Sequence, residues 1–174
     1  MTLPVSRDEA KAQLRVDGND QDTEIDDLIR DAAAWVEDYT GQILEARDVV
    51  EHFTGFRPIS LRAWPIDPAA VATVEYVAGA GPALAVGSRL DATRRPARVS
   101  PALGSFWPFI DSRQSFTVSV RAGYEDPDDV PRGMCRAMLV MIAAFDADRE
   151  GGETFAKAEA AAKRLCRRYK RYSL

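Results

Sequence analysis

The chain has 174 residues, enough for one domain or for one domain carrying an inserted subdomain. Hydrophobic residues make up 46% and charged residues 29%, which excludes a disordered chain, and no run of about 18 apolar residues offers a transmembrane helix. The net charge of −4 hides a gradient: residues 1–51 hold 14 acidic and 5 basic side chains, whereas residues 155–174 hold one acid, Glu159, and seven bases. Such a gradient reads either as a solvated C-terminal helix, or as oppositely charged ends that meet between copies or on separate partners.

Ser6 followed by Glu9 has capping-box spacing and predicts a short helix through Ala10, Leu14 and Val16. The turn-forming DGNDQD of 17–22 breaks it. A second helix begins near Asp22 or Thr23. It places Ile25, Leu28, Ile29, Ala32, Val36 and Tyr39 on one face, leaves Asp26, Asp27, Asp31 and Asp38 elsewhere, and ends at Gly41. Residues 46–124 hold most of the prolines and glycines. Within them Val49–Phe53, Val71–Val77 and Phe116–Arg121 read as strands, GAGPA (79–83) as a turn, and 84–115 as weaker strands and long loops. Pro131 suits the first turn of a third helix with Met134, Met138, Met141, Ile142 and Phe145 on its apolar face, and Gly151-Gly152 ends it. A last helix from about Thr154 carries Phe155, Ala158, Ala161, Ala162 and Leu165 before the Arg- and Lys-rich end. The fold class is therefore α+β: mainly a bundle of four helices with a β-rich insertion between helices 2 and 3. It is read as a single domain over 1–174, with N-terminal helices in 1–42, the insertion in 43–125 and C-terminal helices with a basic tail in 130–174.

Residues suited to chemistry are sparse. His52 is the single histidine and sits in a predicted strand, where a structural or surface role is expected. DGNDQDTEIDDL has some of the spacing of a calcium loop, with Asp17, Asn19 and Gln21. It places Leu28 where the bidentate Glu must stand, so no metal is expected. GAG (79–81) lacks the third glycine of a dinucleotide fingerprint, and no phosphate loop occurs, so no cofactor is expected. Glu37-Asp38 and Asp128-Asp129 are neighbours in sequence, a spacing unsuited to a general acid and base. Cys135 and Cys166 match no metal-ligand spacing, and both read as reduced cytosolic thiols. Basic neighbours could lower the pKa of Cys166, but no orienting partner is evident. The chain starts MTLPVSRDEA, without a basic region and apolar core, so no secretory signal is read. The reading is a non-enzymatic protein that works by assembly.

Four short motifs occur in an order that resembles the head–tail connector (head-completion or adaptor) proteins of long-tailed phages, prophages and gene-transfer particles. LRVD (14–17), an acidic loop and a helix closing on YTG (39–41) resemble the family's opening. LRAWPIDPAAVATVEYV (61–77) resembles its middle signature, and VSVRAGYEDPDDVP (118–131) the strand, Ala-Gly-Tyr turn and Val-Pro helix start that follow. The helix ending FDADRE (145–150) completes the set, with Phe145 where tyrosine is more often found. The match spans roughly 8–150 and is weaker over RLCRRYKRYSL (164–174).

The resemblance implies a virion structural protein at the head–tail interface, assembled in the cytoplasm of a bacterial host. Its copies would form a ring, usually dodecameric, beneath the portal protein. The ring would extend the channel through which DNA passes without sequence-specific binding, and would present a surface to the next tail-side connector or stopper protein. No membrane and no cofactor are implied. The surface expected to meet the portal is the basic end: Arg164, Arg167, Arg168, Tyr169, Lys170, Arg171 and Tyr172. Arginine and aromatic side chains of this kind are favoured in interface hot spots, and this end is expected to be dispensable for the fold. Two other readings compete. One is a nucleic-acid-binding module using KRLCRRYKRY as a basic helix. The other is a different virion assembly factor, such as a tail-completion protein.

Overall fold

The computed structural model describes residues 3–55, 58–78, 81–109, 114–148 and 152–170. The chain separates into two compact units: Met1–Glu45 together with Tyr124–Leu174, and Ala46–Gly123.

The first unit is helical. Helix α1 (Arg7–Leu14) opens with the expected capping box: the Ser6 hydroxyl accepts from the Glu9 N–H, and the Glu9 carboxylate accepts from the Ser6 N–H at 2.8 Å. Helix α2 (Asp22–Thr40) ends at Gly41, whose φ of 63° lets its N–H reach the Glu37 carbonyl at 2.7 Å. Helix α3 (Arg132–Ala147) follows a short 3-10 turn, Pro127–Asp129. Pro131 is the cap before α3, with ψ of 129°, and not part of its first turn. Its extended backbone still lets its carbonyl accept from the Met134 N–H at 2.7 Å. Helix α4 (Glu153–Cys166) continues into a 3-10 turn, Arg167–Tyr169. Gly151 and the end of the FDADRE motif lie outside the described residues.

The apolar faces predicted by helical spacing meet in one core. Ile25, Ile29, Val36, Met134, Met138, Met141 and Ile142 are buried there with Ala10, Ala32, Ala162 and Cys166, while Leu14, Leu28 and Phe145 are partly buried at its edge. Methionine is unbranched and fills irregular gaps between helices, and alanines at 32, 137 and 162 let backbones approach closely.

The described residues of the second unit form β-strands, and every pairing among them is antiparallel. Strands β1 (Arg47–Thr54), β3 (Thr73–Val77), β4 (Ala83–Val86) and β7 (Ser115–Ala122) form a sheet in the order β1-β7-β3-β4. Strands β2 (Ile59–Ser60), β5 (Ser88–Asp91) and β6 (Arg98–Pro101) form a second sheet in the order β2-β6-β5. Alternation in β7 puts Phe116, Val118, Val120 and Ala122 inside. The strand expected from Val71 begins at Thr73, where pairing with Ser119 starts, after a turn in which the Asp67 side chain accepts from the Ala69 N–H at 2.7 Å. Glu51, facing inward from β1, accepts from the backbone N–H groups of Arg62 and Ala63, both at 2.8 Å. Gly79 and Ala80 of the predicted GAGPA turn lie outside the described residues.

Candidate interaction surface at the basic end

Helix α4 presents Phe155, Ala158, Ala162 and Cys166 to the bundle at helical spacing. The Phe155 ring meets Phe145 of α3 at 5.5 Å between centroids. Glu159 pairs with Lys163 at 2.7 Å, which holds its carboxyl below the usual range. On α2, Trp35 and Tyr39 stack at 5.5 Å, and the Lys170 ammonium lies 4.6 Å from the Tyr39 ring centroid, a cation–π contact.

The 3-10 turn then fastens the chain end. Gln42, only 6% exposed, donates from Nε2 to the Tyr169 carbonyl at 2.9 Å and accepts at Oε1 from the Tyr124 hydroxyl at 2.8 Å. The Tyr169 ring lies over Gly133, where an added Cβ would come within 3.0 Å of Tyr169 Cε2. Cys166 is fully buried. The expectation that residues from 164 onward are dispensable for the fold is thus corrected: Cys166 and Tyr169 belong to the helical core.

These anchors leave the cations outside. Arg164, Arg167, Arg168 and Lys170 are exposed, and an open depression of about 520 Å³ is lined by Arg164, Leu165, Arg167 and Arg168. Arg168 also lies over the Tyr169 ring at 4.6 Å and contacts its hydroxyl, so Tyr169 props a guanidinium while itself half-buried. Planar guanidinium groups around a partly apolar floor suit a carboxylate-bearing protein surface through charge-assisted, bidentate hydrogen bonds. Arg171 and Tyr172 lie outside the described residues.

The other candidates resolve as structure. Burial pushes the Cys166 thiol up to about 11, so at neutral pH it is protonated and its basic neighbours do not activate it. Burial likewise raises Cys135. In the loop with calcium-like spacing, the Lys11 ammonium donates to the Gly18 carbonyl at 2.7 Å and to Asn19 Oδ1 at 3.0 Å, and pairs with Asp22. A side-chain cation already occupies those oxygens. Arg7 bridges Asp22 and Asp26 at 3.0 and 2.5 Å, joining α1 to α2. His52 is exposed on β1. Among the described residues no group of three or more His, Cys, Asp or Glu could hold a metal ion, and no helix is long and apolar enough to cross a membrane.

Residues 6–64 match the family model of phage gp6-like head-tail connector protein. The connector match runs from the capping serine of α1 to Trp64, and bears out the resemblance read from the opening motifs. Solved structures extend the likeness to the whole chain. A chain in the neck of an empty GTA particle computed with C6 symmetry superposes with a TM-score of 0.78 at 22% identity, covering 98% of this chain and 91% of that one. A chain in the virion of a native gene transfer agent (GTA) particle gives 0.74 at 21% identity, covering 100% and 94%. A third, in the neck of a native GTA particle computed with C12 symmetry, gives 0.70 at 23% identity, covering 94% and 89%. At these identities the structures share a fold. No curated protein matches the chain by sequence.

Proposed function

We propose that this protein is a structural head–tail connector subunit, whose copies form a ring beneath a portal protein, extend its DNA channel and present a surface to the next tail-side protein. The observation that carries the reading is the connector-family sequence of residues 6–64 within a chain whose full length shares the fold of chains from GTA necks. The role is mechanical and needs no reaction.

In this reading Arg164, Arg167, Arg168 and Lys170 meet carboxylates of the portal and Tyr169 holds them on the bundle, with Arg171 and Tyr172, outside the described residues, as further candidates. Complementary charges of this kind fix register and speed encounter more than they add affinity. The acidic α1–α2 region and the overall negative charge suit a passage that DNA must slide through, since a strongly basic lumen would retain phosphates by counterion release. Light scattering across concentration, with and without portal rings, tests the reading. Monomer and closed rings are expected, with the ring fraction raised by portal. A stable two-fold dimer, or salt-sensitive binding of free DNA by the monomer, would contradict it.

A further inference from the structure

After β6, residues 102–109 turn three large apolar side chains to water while Trp107 is half-buried. Leu103, Phe106 and Phe109 are 84%, 91% and 104% exposed. The segment begins with a tight turn in which Gly104 has φ of +75° and the Ser105 N–H donates to the Ala102 carbonyl at 2.9 Å. Single exposed apolar residues need no explanation, but three within seven residues of one loop mark a candidate contact.

The same β unit has an open apolar cleft of about 360 Å³. Its walls are Phe53, Phe116, Pro58 and Ile59, and its rim includes His52, Thr54 and Ser115. Phe53 and Phe116 are cross-strand partners stacked at 5.5 Å and 19°, so the wall is preformed. Leu103, Phe106 and Phe109 do not line the cleft.

We infer that the Leu103–Phe109 loop of one copy seats its aromatic side chains in the Phe53–Phe116 cleft of the next copy. This rests on the connector reading only in that a ring gives the contact its use. Loop and cleft are different surfaces, so the contact is heterologous, the type that repeats around a ring and cannot close as a two-fold dimer. A second copy is the occupant because every chain carries both the exposed aromatic loop and the Phe53–Phe116 cleft, so one contact can repeat from copy to copy. The area fits a contact that needs templating. Aromatic side chains bury roughly 150–250 Å² each, so the loop contributes on the order of 500 Å², against about 800 Å² per partner in a stable interface. The shortfall leaves the contact weak by itself, and holding copies side by side on a portal offsets this by raising their effective concentration.

The test places cysteines at two exposed positions, Thr54→Cys on the cleft rim and Ser105→Cys in the loop, singly and together. Each protein is oxidised alone at high concentration and again when bound to portal rings. A ladder of covalent multimers in the double variant, absent from both single variants, is the expected result. A fast-running monomer with an internal disulfide would mean that the loop covers its own cleft, and would overturn the inference. Rings that assemble but yield no ladder would overturn it while leaving the connector reading in place. No rings and no ladder under either condition would overturn both. A second variant, Phe106→Ser with Phe109→Ser, should raise the concentration for half-assembly about tenfold or more with its thermal midpoint unchanged. Unchanged assembly would equally sink the proposal.

Discussion

The side-chain amide of Gln42 is the knot that ties the basic end to the bundle, donating to the Tyr169 carbonyl at 2.9 Å while accepting from the Tyr124 hydroxyl at 2.8 Å. One buried residue just past α2 thereby holds both the start of the C-terminal helical segment and its end. Gln42→Leu leaves two polar groups without that partner, and should cost about 1–3 kcal/mol. Urea denaturation measures it; a loss under about 0.5 kcal/mol would show that the knot carries no stability.

Removing residues 164–174 is a poor test of portal attachment, because it takes Cys166 out of the core along with the cations. That truncation should lower the thermal midpoint clearly. Reversing Arg164, Arg167 and Arg168 to Glu leaves the buried face of α4 intact and should keep the midpoint within a few degrees while abolishing co-sedimentation with portal rings. Retained docking would move the anchor to the acidic face or the β unit.

Gly133 permits the close packing of Tyr169. In Gly133→Ala the new methyl would stand 3.0 Å from Tyr169 Cε2 and 3.2 Å from the Leu165 carbonyl oxygen. The Gly-to-Ala gain of about 1 kcal/mol belongs to a helix interior and is smaller in the first turn, where Gly133 sits, whereas overpacking costs roughly 1–3 kcal/mol, and the backbone oxygen cannot swing aside. Destabilisation should win. A raised thermal midpoint would mean that the chain end yields easily.

The Arg7 guanidinium holds the Asp26 carboxyl below its ordinary value, mainly through their hydrogen bond. A lowered folded-state value contributes stability above the unfolded carboxyl pKa of about 3.9, and loses it as pH falls through the lower folded value. Stability should therefore change little through this pair between pH 7 and 5 and fall below about pH 4. Asp26→Asn should show a smaller loss between pH 7 and pH 3 than the parent chain. An equal loss would remove the pair from the acid response.

Much of the helical unit was legible because its signals are local. Ser6 and Glu9 announce α1, Gly41 ends α2, and apolar spacing names Ile25, Ile29, Val36, Met138, Met141 and Ile142 as core. The β unit was legible only where alternation is long, as in β7. Strands β4, β5 and β6 are four residues each and β2 is two, too short to declare a period, and they depend on partners distant in sequence, such as Ile59 with Val99. At the basic end, composition identified the cations but not their anchors. The run RLCRRYKRY reads as solvated, and nothing local says that Cys166 and Tyr169 turn inward. That depends on Gly133 and Gln42, which are remote in sequence. The exposure of Leu103, Phe106 and Phe109 was likewise hidden, since residues 84–115 carry no periodicity that assigns their side chains to a face.

Electron microscopy of the protein mixed with portal rings tests the connector reading most directly. The account predicts closed rings of this chain stacked coaxially on the portal, with the Arg164–Arg168 end at the junction. Unassociated monomers, or two-fold dimers that leave the portal bare, would contradict it.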